Sequence, residues 1–252
     1  MIQNLIPREK IKSGKKATVH RHVYDSLKLA LMNGDFVPGQ RLVVRVISEQ
    51  FKISAMPVRE ALRQLVSEQA LFDHSNRGVI VPNTTAAVIA DVVRVRCSTE
   101  GSAAEWAAST ITEEEFEYVI ELNEKMKECV IKRQTENYLF LNRTFHFTVY
   151  KAARSSTLQD IIERLWLRAG PWLNIMRDEA ALGIGLVHHD EIIEGLRKGD
   201  GALTKRAVVA DISDAAHVML RAASHARVDG SEILSVRPAA KSKRKHMLMG
   251  AR

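Results

Sequence analysis

Residues 54–70 read SAMPVREALRQLVSEQA, and from Val58 onward the leucines Leu62 and Leu65 recur at helical spacing with polar residues between them. Pro57 falls in the first turn, where its missing N–H has no intrahelical partner to lose. Ser54 stands where a capping oxygen is expected. Arg59 and Arg63 then lie one turn apart on one face of this helix. Upstream, Val23, Leu27 and Leu31 line one side of a helix that Thr18 can cap and Gly34 can end. Pro38-Gly39 marks a turn, VVRVISEQF a short helix, and the apolar runs LFDHS and GVIVP flank an Asn-Arg-Gly hairpin tip.

Helix, helix, turn, helix and hairpin follow one another in the order of a winged helix-turn-helix. Beyond Thr84 the pattern holds no strands. It predicts helices over about 85–110, 113–132, 136–153, 157–177, 186–197 and 202–223, separated by capping or glycine-rich breaks. The fold class expected is therefore mainly α: a three-helix head with a small β-hairpin wing, then an all-helical bundle of about six helices. The expected division is a basic arm over 1–17, the head over 18–83, the bundle over 84–228 and a tail over 229–252. The tail lacks an apolar face and reads as disordered.

With 46% hydrophobic and 27% charged residues, the 252-residue chain has the composition of a soluble globular protein. No apolar run approaches the roughly 18 residues of a membrane span, and the charged N-terminus has no secretory apolar segment. Cys97 and Cys129 lack metal-type spacing and read as buried free thiols of a reducing compartment, which points to the cytoplasm. The net charge of +7 is unevenly placed. Residues 1–22 hold six basic side chains and one acidic, and residues 236–252 hold six basic and none acidic. The 86–235 stretch is net acidic. A basic head on an acidic body suits a polyanionic partner.

The stretches GDFVPGQRL, ISEQFKIS, MPVREALRQL and RGVIV resemble the DNA-binding head of the GntR family of bacterial transcription regulators. VRVRCSTEGSAAEWAA, LNRTFHFTVYKAA and HHDEIIEGLRKGD resemble the FCD ligand-binding domain of its FadR subgroup, so the likeness runs from about residue 18 to 225. The resemblance implies a homodimer on a two-fold pseudo-palindromic double-stranded DNA operator. It places Arg45 and Arg59 against DNA and brings the wing tip, Arg77 and Gly78, to the minor groove, with Ser54 at the start of the recognition helix and Arg63 as a phosphate contact. Where the family carries an arginine directly after the cap residue, this chain has Ala55.

In the body, Asn142 and His146 share a helix face. The resemblance aligns these two, His189 and Asp211 with the family's Asp, His, His, His ligand set. Oxygen and imidazole donors suit a divalent ion such as Zn²⁺, Ni²⁺ or Mn²⁺. His188 points elsewhere, and His217 is a substitute ligand should the register differ. Arg96 and Glu100 are spaced i,i+4. Two readings of Arg96 stand side by side: an effector-facing arginine that holds a small organic acid, as the resemblance implies, or half of a surface ion pair. The function expected is a ligand-responsive transcription regulator, a repressor, and not an enzyme. The rivals are a metal-dependent hydrolase and a ligand-independent architectural DNA-binding protein.

Overall fold

Val23, Leu27 and Leu31 are all buried in the computed structural model of the chain, which describes residues 16–75, 78–83, 85–177 and 182–228. They lie on helix α1 (Lys16–Met32), which packs on α3 (Ala55–Ser67). Gly34 ends α1 in the left-handed region at φ 69°, as its position predicts. The short helix α2 (Val44–Phe51) adds Ile47 and Phe51 to the head's core, and α3 adds Val58, Ala61, Leu62 and Leu65. Ser54 is the N-cap residue of α3, but its side chain makes no capping hydrogen bond, so that expectation is corrected. The cause lies in the neighbouring sequence. A cap oxygen reaches the N–H of the second or third helical residue, and the third is Pro57, which has none.

The wing is an antiparallel pair, β1 (Phe72–His74) and β2 (Gly78–Ile80), in the register Phe72 to Ile80, Asp73 to Val79 and His74 to Gly78. The segment after the Pro38-Gly39 turn joins it. Arg41 bridges Ile80, and the Leu42 N–H donates to the Val79 carbonyl at 2.9 Å. The hydrophobic pattern had not shown that third edge.

The body consists of α4 (Ala86–Ala107), α5 (Glu113–Ile131), α6 (Thr135–Ala152), α7 (Ser156–Ala169), α8 (Leu186–Lys198) and α9 (Gly201–Val228). Local chemistry sets the breaks. Thr112 and Glu115 close a capping box on α5, Ser155 caps α7 through the Leu158 N–H, and Gly199 ends α8 at φ 64°. The helix expected over 157–177 divides. α7 stops at Ala169, and Gly170–Arg177 forms a 3-10 segment. Pro171 cannot donate an i−4 bond, and Gly170 lies so close to α1 that a Cβ there would overlap the Leu31 carbonyl.

That contact joins head to body. The Asn174 amide donates to the Gly34 carbonyl at 2.8 Å, and Arg143 Nε of α6 donates to Asn33 Oδ1 at 2.8 Å. Lys28 of α1 pairs with Glu163 of α7 at 2.5 Å. Among the described residues, no helix is long and apolar enough to cross a membrane.

Candidate nucleic-acid interface and metal centre

Arg59 and Arg63 are both exposed on the outer face of α3, while Val58, Leu62 and Leu65 anchor its inner face in the core. Their guanidinium groups make no ion pair among the described residues. Arg45 projects from the start of α2, with Nε 3.8 Å from Glu49 Oε1 across one turn of an exposed surface, and is only loosely held. Arg45, Ser54, Ala55 and Arg59 line one open groove between the two helices. Gly78 begins the outgoing wing strand at φ 71°, and a Cβ there would meet nothing within 4 Å. Glycine serves the backbone conformation at that place. Arg77 lies outside the described residues, as do the arm up to residue 15 and the tail from 229.

Inside the body, α6, α8 and α9 bring His146, His189 and Asp211 together, with one potential ligand atom from each within 4.8 Å of the others. His146 Nε2 is 3.2 Å from Asp211 Oδ2, and His189 Nε2 is 3.8 Å from Asp211 Oδ1. Asn142 lines the same small cavity as His146, Asp211 and Arg96. His217 is exposed and faces Asp214, away from the centre, whereas His188 is partly buried between Glu191 and Asp214.

The proton inventory around His146 is informative. Tyr150 has one hydroxyl proton and donates it to Glu100 Oε2 at 2.7 Å. Its oxygen, 3.2 Å from His146 Nδ1, must then accept, which puts the ring's proton on Nδ1. His146 Nε2 is left as a lone pair facing a carboxylate. A cation placed between them would satisfy both. The buried His189 ring adds two nitrogens with no hydrogen-bond partner. Burial, reinforced by His146 against the pull of Asp211, pushes its pKa down to about 4, so this imidazole is neutral at neutral pH. Burial also opposes charge on Asp211, but the facing imidazoles, His146 first, outweigh it and hold its carboxyl below the ordinary range. A neutral imidazole with one free lone pair, a second imidazole aimed by a tyrosine, and an ionised carboxylate are donors that could hold a divalent cation.

Arg96 is not half of a surface pair. It is buried and gives Nε and Nη2 to the two oxygens of Glu100 at 2.5 and 3.1 Å. Glu100, fully buried, also accepts from Trp166 Nε1 at 2.9 Å. Two of five guanidinium donors are thereby occupied, and Arg96 lines the cavity. This Glu100–Tyr150–Trp166 network was missed in the sequence, where only the Arg96/Glu100 spacing gave a signal. Gly185 was missed too. A Cβ there would overlap Asp211 Oδ1 and come within 3.3 Å of His189 Nε2.

Comparison with known proteins agrees with this anatomy. Residues 19–81 match the model of the bacterial regulatory proteins of the gntR family, and residues 91–214 match the FCD domain. The chain is 32% identical to the HTH-type transcriptional regulator McbR of Escherichia coli K12, across 64% of this chain and 73% of that one. It is 26% identical to the HTH-type transcriptional repressor RspR of the same organism, across 78% and 86% of the two chains. The solved structure of E. coli McbR/YncC superposes with a TM-score of 0.72 at 26% identity, covering 84% of this chain and 99% of that one. With a winged helix-turn-helix ahead of an FCD body, the chain belongs to the GntR family and is a transcription regulator, not an enzyme.

Proposed function

We propose that this regulator is a homodimeric repressor whose two heads read the half-sites of a palindromic operator, and whose bodies respond to a small carboxylate through a bound divalent cation. The observation that carries the DNA reading is the solvent face of α3: Arg59 and Arg63 stand unpaired beside Arg45 on a surface rigidly backed by the core. One chain offers one such helix, so a two-fold operator calls for two chains. Arg59 and the wing would read base edges, and Arg45, Ser54 and Arg63 would hold the backbone. Relatives named as repressors, RspR among them, support the direction of control.

His146, His189 and Asp211, with the Asn142 carbonyl oxygen as a fourth donor, would hold the cation. Its chemistry there is that of a fixed Lewis acid that binds an effector oxygen. Arg96 would take the carboxylate. With Glu100 cancelling Arg96 and Asp211 leaving one negative charge, a divalent ion gives the centre a net charge of about +1, suited to a monoanion.

The cavity is about 40 Å³. That admits a few waters, whereas pockets for organic ligands run to roughly 300 Å³ or more. Effector binding therefore needs the wall to move. Trp172 and Leu173 of the 3-10 segment form part of that wall, two and one residues before the Asn174 that bonds to Gly34 of the head. An effector that opens the cavity would shift the head by the same displacement, a population shift between two head placements.

The DNA reading is tested by gel shift with duplexes enriched from a random pool. R59A should lose binding by more than tenfold while keeping the oligomeric state. Undiminished affinity would remove α3 as the reading helix. For the metal, elemental analysis of protein purified without chelator should find about one divalent ion per chain, and none after His146→Ala with His189→Ala. A rival architectural role predicts that no small carboxylate raises Tm selectively.

A further inference from the structure

We propose that Lys52 is a DNA-phosphate contact that supplies positive charge between Arg45 and Arg59, an assignment that rests on reading the α2–α3 face as the DNA-reading surface. Lys52 ends α2 in the left-handed region, φ 55° and ψ 43°, with its N–H donating to the Glu49 carbonyl at 3.3 Å. Glycine takes that conformation without strain, whereas a Cβ is crowded in it. A lysine held there projects from the tight turn before α3, with its Cα–Cβ bond set by that backbone. The side chain is exposed and lines the groove of Arg45, Ser54, Ala55 and Arg59.

The comparison within the chain is instructive. Arg154 also follows a helix at positive φ, 56°, and its guanidinium is tied to Glu115 at 2.6 and 2.8 Å. Lys52 has no such partner: among the described residues it makes no ion pair, although Glu49 lines the same groove and lies 3.8 Å from Arg45. Ala55, next along the groove, offers no side-chain donor. Among the described residues of this groove, Lys52 lies between Arg45 and Arg59 in sequence and makes no ion pair. An ammonium is a compact, three-donor point charge and not a planar fork, so it suits a phosphate oxygen better than a base edge. The opposing reading is that Lys52 only complements the carbonyl end of α2.

The two readings separate in Lys52→Gly, which keeps the backbone conformation and removes the charge. The probes are a duplex enriched by the wild-type protein from a random pool and a mixed-sequence duplex of the same length. Lys52 on phosphate predicts a slope of log affinity against log salt lower by about 1.8 on both duplexes, about 0.9 from each of the two heads of the dimer. It predicts affinity roughly 60-fold weaker near 0.1 M salt for the dimer, with Lys52→Arg restoring most of it. The Tm of the glycine variant should equal or exceed that of the wild type. An unchanged slope beside a changed Tm assigns Lys52 to the helix end and overturns the proposal. A loss confined to the enriched duplex overturns it as well, because that is base reading. If the wild-type protein enriches no sequence, the DNA reading itself has failed. If it does and R59A loses that duplex while Lys52→Gly does not, only the Lys52 assignment falls.

Discussion

Glu100 receives four hydrogen bonds, two from Arg96 and one each from Tyr150 and Trp166, and is fully buried. It thereby fixes the direction of Arg96 and, through Tyr150, the tautomer of His146. Glu100→Gln removes the charge that balances Arg96 without changing the shape, so a buried cation is left uncompensated. The expected cost is about 3 kcal/mol of unfolding free energy, read from urea denaturation with unchanged m. A variant as stable as the wild type would mean that Arg96 is balanced from elsewhere. Gly185 acts differently. Its φ of −76° is open to any residue, so the glycine is there for space above Asp211 and His189. Gly185→Ala should displace Asp211 and weaken binding of added Zn²⁺ by tenfold or more, measured by competition with a chromophoric chelator, while the metal-free Tm changes little. Equal Zn²⁺ affinity in the two proteins would argue that Asp211 is not held by this close approach.

Helix α5 shows what can be read from neighbouring letters alone: Thr112 and Glu115 are a capping box in sequence and in space. The Gly34 and Gly199 stops are equally local, and so the body helices and the head were legible almost to their ends. The 3-10 turn at Gly170 was not: Pro171 stood in the sequence, but the Leu31 carbonyl that demands glycine beside it belongs to a helix far away along the chain. Ser54 failed as a cap for a reason that was present in the sequence, the Pro57 at the third helical position. Of the buried centre, the spacing and resemblance singled out His146, His189, Asp211 and Arg96. Glu100's further partners and the roof at Gly185 depend on how α4, α6, α7 and α8 pack, which no periodicity encodes. The contact between α1 and the 3-10 segment belongs to this second kind and has a testable consequence. Gly170→Ala should push the segment off Leu31, so hydrogen exchange should speed up at the C-terminal turn of α1 while α5, remote from the contact, keeps its protection. Unaltered exchange in α1 would show that the segment does not brace the head.

Polar links join head and body at Lys28–Glu163, Asn33–Arg143 and Gly34–Asn174, and the last two sit one residue beyond Asn142 and Leu173 of the cavity wall. A ligand that enlarges the cavity must either strain these links or carry the head with it. In both cases its binding free energy differs between the two head placements, and that difference is the only quantity that can regulate DNA affinity. Linkage then demands reciprocity. If a carboxylate weakens operator binding by some factor, saturating operator must weaken carboxylate binding by the same factor. For a coupling of about 1–3 kcal/mol that factor is roughly 5 to 150. The measurement is a pair of titrations on the metal-loaded protein: carboxylate affinity with and without the enriched duplex, and duplex affinity with and without the carboxylate. Matching factors are expected, and Asn174→Ala with Arg143→Ala should bring both towards one, because the cavity can then open without moving the head. A carboxylate that binds the centre, raises Tm and yet leaves DNA affinity unchanged in the wild-type protein would show that cavity and head are not coupled through this wall.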